Sequence, residues 1–69
     1  MPKLLSSKAI VKVLEQHGFV FVSQKGSHAK YRNGSLTTIV PLPKKEIPLG
    51  TFRSIVRQSG LQIEDFTRK

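Results

Sequence analysis

His28 is preceded by Lys25 and followed by Lys30 and Arg32 in a chain of 69 residues. That grouping joins a proton-transfer side chain to cations. Imidazole exchanges its proton near neutral pH, and ammonium or guanidinium groups stabilise negative charge as it develops on a phosphoryl oxygen. Cleavage of an RNA phosphodiester asks for both. The RNA brings its own nucleophile, the 2′-hydroxyl. It needs a base to take that proton, a cation beside the phosphorane and an acid for the departing 5′-oxygen. His28 can act as base, acid or both in sequence, with Lys25 and Lys30 holding phosphates, and Gly26 lets the turn before it approach an RNA backbone closely. The same pattern also fits a polar histidine on a solvated strand face. His17 reads differently. It falls at the end of a helical stripe, where a cation interacts well with the helix dipole. No second proton-transfer group accompanies it, so a structural role is expected.

Other chemistries lack their residues. The chain has no cysteine, which removes disulfides and thiolate metal sites. Two histidines in separate elements and four scattered carboxylates do not build a zinc or magnesium cage, so no metal or cofactor is expected. There is no Ser-His-Asp arrangement and no Gly-x-x-x-x-Gly-Lys phosphate loop. Twelve Lys and Arg against four Asp and Glu give a formal net charge of +8. Such a field attracts polyanions through steering and counterion release. Nucleic acid is the first candidate partner. An acidic protein would satisfy the same field, and high charge also keeps a small protein soluble. No apolar run approaches the ~20 residues of a membrane-spanning helix, and Met1-Pro2-Lys3-Leu4-Leu5 lacks the apolar stretch of a signal peptide. The expectation is one cytoplasmic domain over residues 1–69, without a membrane partner.

Periodicity supplies the elements that must position these residues. Ser6 and Ser7 offer N-cap hydroxyls, and Ile10, Val13, Leu14 and His17 form a helical stripe closed by Gly18. A helix over Lys8–His17 is predicted, with Lys8, Lys12 and Glu15 facing solvent. Phe19–Val22 reads as a first strand and Gln24-Lys25-Gly26 as a turn. Ser27–Arg32 alternates, with His28, Lys30 and Arg32 on one face and Ala29 and Tyr31 on the other. Asn33-Gly34 suits a type I′ hairpin turn, and Leu36–Val40 is the third strand. That turn predicts the pairs Arg32–Ser35, Tyr31–Leu36, Ala29–Thr38 and His28–Ile39. Tyr31, Leu36 and Val40 should then meet the helices, while His28, Lys30, Arg32, Thr37 and Ile39 face solvent.

Pro41–Glu46 reads as a loop, because prolines cannot sit inside a ladder. Gly50-Thr51 can open a second helix with Thr51 as N-cap, an apolar stripe of Phe52, Ile55 and Val56, and Arg53 and Arg57 exposed. Gly60 stops it and Leu61 follows as the apolar residue after a glycine cap. Ile63 and Phe66, in the tail 62–69, allow one further turn. Phe19, Phe21, Phe52 and Phe66 fall on apolar stripes and are core candidates, as is Tyr31 by strand alternation. The fold class is therefore α+β. Its order is α-β-β-β-α, as in double-stranded-RNA-binding folds, with a three-stranded antiparallel sheet and two helices on one face.

The ordered motifs resemble one family. Gly26-Ser27-His28-Ala29-Lys30-Tyr31 is similar to the Gly-Ser-His-x-x-aromatic signature of HicA toxins. Pro48-Leu49-Gly50-Thr51-Phe52-Arg53-Ser54-Ile55 resembles that family's Pro-x-Gly-Thr opening of its last long helix. Ser59-Gly60-Leu61 resembles its close, and His17-Gly18-Phe19 its first helix end. Where many members carry a histidine after the third-strand Val-Pro, this chain has Leu42-Pro43. The resemblance implies a small, metal-independent ribonuclease that cuts messenger RNA. It implies catalysis by His28 and inhibition by a HicB-like antitoxin that masks the site. The expected RNA contacts are Lys25, Gly26, Ser27, Lys30, Arg32, Lys44 and Lys45, and the free toxin is expected to be a monomer. A double-stranded-RNA-binding module without catalysis is the alternative that charge and topology also permit. A structural partner for an acidic protein is a third.

Overall fold

The structure, a computed structural model, describes residues 4–67. The part of the N-terminal reading that rests on residues 1–3, and the tail residues 68–69, lie outside them. Helix α1 spans Ser7–Gln16. The Ser6 hydroxyl accepts a hydrogen bond from the Ala9 N–H at 3.1 Å, capping one of the first-turn donors that have no partner within the helix. Ile10 and Leu14 are fully buried. The helix ends at His17, and Gly18 takes a φ of +94° that a side chain would resist. Phe19 then turns back to donate its N–H to Leu14 at 2.9 Å.

Strands β1 (Val20–Lys25), β2 (His28–Asn33) and β3 (Leu36–Pro41) form an antiparallel meander in the order β1-β2-β3. Each hairpin closes through a two-residue Gly-Ser loop, Gly26-Ser27 and Gly34-Ser35. In both, only the glycine has a positive φ, +58° and +61°. That is the pattern of a type II′ turn, with glycine at the first central position. The expected Asn33-Gly34 type I′ turn is therefore corrected: Asn33 stays in the strand opposite Leu36. Its side-chain amide donates to the His17 carbonyl at 3.1 Å, a tertiary tie that favours the later turn. The register moves by two, so Tyr31 opposes Thr38, Ala29 opposes Val40 and His28 opposes Pro41 rather than Ile39. A shift of two preserves the faces. Ala29, Tyr31, Thr38 and Val40 are buried, while His28, Lys30, Arg32, Thr37 and Ile39 lie on the open side. Leu36 keeps the inward parity but is 43 % exposed at the sheet end.

Strand β1 is longer than predicted and irregular. Its pairing with β2 slips between Phe21 and Ser23, leaving Val22 as a bulge. Phe21 is 53 % exposed and so is not core, unlike Phe19, Phe52 and Phe66. Its ring meets Tyr31 edge-on, with centroids 5.8 Å apart. Pro41 also differs from expectation. It is the last residue of β3 instead of a loop residue, tolerated because β3 is an edge strand.

Helix α2 runs Leu49–Ser59, three residues longer at its start than the Thr51 cap implied. Pro48 is the N-cap residue and no side chain caps this end; its carbonyl accepts the Phe52 N–H at 2.9 Å. Gly60 closes the helix at φ +72°. A short α3, Ile63–Thr67, adds the turn foreseen in the tail. It buries Phe66 against Phe52, edge to face with centroids 5.4 Å apart, whereas Ile63 is 48 % exposed. The core joins α1 (Ile10, Leu14), the inner sheet face (Ala29, Tyr31, Val40), Ile47 and α2 (Phe52, Ile55). The helices thus cover one face of the sheet, chiefly over β3, and the α+β, α-β-β-β-α architecture is observed with α3 appended.

Candidate active site on the open sheet face

The open face is assembled by strand alternation. His28, Lys30 and Arg32 project from β2 on the solvent side, each exposed. Across the β1–β2 hairpin, Lys25 stands directly opposite His28 and Ser23 opposite Lys30. Opposed side chains on one face have Cβ atoms about 5 Å apart, so Lys25 is the cation nearest His28 across the ladder. Lys30 is about 7 Å along the strand and Arg32 about 13 Å, from the ~3.3 Å rise per residue. Arg32 folds towards its own turn and donates from Nε to the Gly34 carbonyl at 3.1 Å. The sheet thus brings Lys25, His28 and Lys30 together and holds Arg32 at the far end of the strand.

None of the three strands carries an acidic residue. Glu15 lies on α1, Glu46 in the loop after β3, and Glu64 and Asp65 on α3. Asp65 is engaged locally, accepting the Gln62 N–H at 2.8 Å. The open face therefore presents cations without carboxylates between them, which raises the local concentration of phosphate-bearing ligands.

The turn before His28 is pinned from both sides. The Gln24 side-chain amide donates to the Gly26 carbonyl at 3.1 Å. The Leu42 N–H donates to the Ser27 carbonyl at 2.6 Å. A Cβ built on Gly26 would meet nothing within 4 Å, so glycine is required there for its φ of +58° and leaves open space at the turn. The bond from Leu42 also draws the loop after β3 to the His28 end of the sheet.

That loop carries Lys44 and Lys45, both exposed. Ser7 fastens it to α1. The Ser7 hydroxyl accepts the Lys44 N–H at 3.0 Å and donates to the Lys44 carbonyl at 3.2 Å, while the Ser7 N–H donates to the same carbonyl at 3.0 Å. Lys8, Lys44 and Lys45 border a hollow of about 450 Å³ with Ser6, Ser7 and Pro43. Sequence reasoning placed the two serines as alternative caps. Ser6 caps and the buried Ser7 instead positions the lysine loop, a role that spacing alone could not show. Arg53 and Arg57 are exposed on α2, in the helical layer, and do not join His28. His17 is exposed at the end of α1 and is likewise remote from the Gly26-Ser27 turn, lying beside Asn33.

Burial and the negative charge of Glu15 together raise the Tyr31 pKa above its ordinary 10.0, desolvation being the larger cause. Tyr31 therefore stays neutral beneath the sheet. Among the described residues no three His, Cys, Asp or Glu side chains gather as a metal site, and no helix is long and apolar enough to cross a membrane.

A family model described as the HicA toxin of bacterial toxin-antitoxin systems matches residues 7–61. That span runs from the first residue of α1 to Leu61, just beyond α2, and includes all three strands and the Gly26-Ser27-His28 turn. Comparison with curated proteins gives no match.

Proposed function

Because the chain belongs to the HicA toxin family, we propose that it is a metal-independent endoribonuclease that cuts messenger RNA, with His28 moving the protons. The observation that carries this reading is the placement of His28. It stands exposed on a sheet face free of carboxylates, opposite Lys25 and next but one to Lys30.

In this reading an RNA strand lies along the open face, its phosphates held by Lys25 and Lys30 and, further along, by Arg32, Lys44 and Lys45. The Gly26-Ser27 turn approaches the sugar-phosphate backbone. His28 takes the proton from the 2′-hydroxyl, and the oxygen attacks the adjacent phosphorus. The P–O bond to the 5′-oxygen breaks, leaving a 2′,3′-cyclic phosphate on one product and a hydroxyl on the other. The imidazolium can return its proton to the leaving oxygen. Lys25 and Lys30 offset the extra negative charge of the phosphorane. A HicB-like antitoxin covering this face would stop the reaction. The toxin acts in the cytoplasm, where messenger RNA is translated.

The test is incubation of the protein and of His28→Ala with a long single-stranded RNA in excess EDTA. Cleavage by the wild type alone, with cyclic or 3′-phosphate ends, is expected. Binding without cleavage by both proteins, with preference for duplex RNA, would replace this reading with that of a double-stranded-RNA-binding module.

A further inference from the structure

The open face absorbs the cations, but the first half of β1 is left without a role. Val20, Phe21 and Val22 are consecutive and 62, 53 and 46 % exposed. Single exposed apolar residues are ordinary, whereas three in a row on a soluble domain mark an interaction surface. Their directions explain why the fold cannot cover them. Val20 pairs with Arg32 and shares its open face, Phe21 pairs with Tyr31 on the inner face, and Val22 is the bulged residue. The helices pack chiefly over β3, at the other side of the sheet, and β1 has a strand neighbour on one side alone.

We propose that this edge of β1 is the docking site of an acidic protein, the antitoxin of this toxin, anchored on Val20, Phe21 and Val22. The proposal rests on the toxin reading above and adds to it where the partner attaches and what chemistry it brings. Charge complementarity selects the occupant. The patch adjoins Arg32, across the ladder from Val20, and Lys30, across from Ser23, in a chain of net charge +8. Apolar anchors flanked by carboxylates fit that surface. A second copy of the chain would bring the same +8 against it. The bulge at Val22 disrupts the regular spacing of the edge, which disfavours an added backbone ladder and favours side-chain docking. RNA is poorly matched, because Phe21 faces away from the cations that would hold its phosphates. A partner seated here reaches the open face one strand from His28, so docking and masking of the site are joined without His28 itself serving as an anchor.

The probe is a purified HicB-like antitoxin of net negative charge, its affinity measured by calorimetry for the 69-residue chain. Val20→Ser/Phe21→Ser is expected to weaken binding by at least about thirtyfold, the size of losing a buried anchor. Its RNA cleavage and RNA affinity should be unchanged, and its melting temperature should fall by roughly 3–10 °C, because Phe21 gives up its edge-on contact with Tyr31. The isosteric Val20→Thr, well suited to an exposed strand position, should weaken binding in the same direction and guards against a folding defect in the double variant. Leu49→Ser, at a comparably exposed apolar residue of α2, should have no effect. The proposal is overturned if the β1 variants bind as the wild type does, or if Leu49→Ser loses as much. It is equally overturned if the β1 variants lose RNA affinity instead, or convert a wild-type dimer into a monomer. Antitoxin binding is read without reference to catalysis. A wild-type protein that binds at β1 but cuts no RNA would refute the ribonuclease reading and leave the docking site standing.

Discussion

Replacing Ser7 by alanine separates the role of the lysine loop from that of the helix cap beside it. The Ser7 side chain is 3 % exposed and makes two hydrogen bonds to the Lys44 backbone, one accepted at 3.0 Å and one donated at 3.2 Å. Each such bond contributes about 0.5–1.5 kcal/mol net. The backbone bond from the Ser7 N–H to the Lys44 carbonyl survives the substitution. Lys44 is exposed, so water can reach part of what is freed. A loss of about 1–2 kcal/mol follows, a drop in Tm of roughly 5–15 °C for a domain of this size. Ser6→Ala is the comparison, since it removes one cap bond at a cost of about 1 kcal/mol. Thermal unfolding followed by circular dichroism reads both. RNA affinity distinguishes them: Ser7→Ala should also weaken binding, because Lys44 and Lys45 lose their fixed position, whereas Ser6→Ala should not. A Ser7→Ala protein melting within about 2 °C of the wild type would refute the clamp.

Three further outcomes are expected. Burial raises the native pKa of Tyr31 above 10.0, so the native state holds that proton more tightly than the unfolded chain. The associated stability is complete below pH 10 and is lost as pH rises through the native value. Tyr31→Phe should therefore show a smaller fall in urea midpoint between pH 9 and pH 11 than the wild type, and equal falls would count against it. Gln58 Oε1 accepts both the buried Thr38 hydroxyl at 3.0 Å and the Ile39 N–H at 3.2 Å. Gln58→Ala should cost about 1–3 kcal/mol in chemical denaturation, since it strands the Thr38 hydroxyl. Gly26→Ala meets no steric obstacle but must hold φ near +58°. A loss of about 1–2 kcal/mol is expected, with slower RNA cleavage because the turn ahead of His28 is strained.

The elements and their faces were legible because hydrophobic period survives small errors. The stripe of Ile10 and Leu14 and the alternation of Ala29 and Tyr31 each pointed to the observed core. The faces held even though the β2–β3 register did not, since Asn33-Gly34 and Gly34-Ser35 overlap in one tripeptide and both make acceptable turns. The choice between them involves the Asn33 bond to His17, a contact invisible in local sequence. Alternation placed Phe21 on the inner face, where it does pair with Tyr31, but that the helices pack chiefly over β3 and leave Phe21 exposed is invisible in local sequence. Ile47, fully buried in a polar stretch and tied through its N–H to the Leu5 carbonyl at 2.7 Å, was overlooked because a lone apolar residue before Pro48 carries no period. Of the candidate site, the shared face of His28, Lys30 and Arg32 followed from strand parity, whereas Gln24 and Lys25, expected in a turn, close β1, so that Lys25 standing opposite His28 needed the fold. Lys44 and Lys45 suggested themselves by charge, but their support by Ser7 needed the fold.

The paired Gly-Ser loops have a consequence for the order in which the molecule assembles. Every strand joins its neighbour in sequence across two residues, so the sheet consists of local contacts that close in about 1–10 μs per hairpin. The ties between Ser7 and Lys44 bridge 37 positions and carry a larger loop-closure cost. The meander is thus expected to form ahead of the junction between α1 and the lysine loop. The cationic face would exist early in the life of each chain, and its lysine-rich margin would be the last part to take shape.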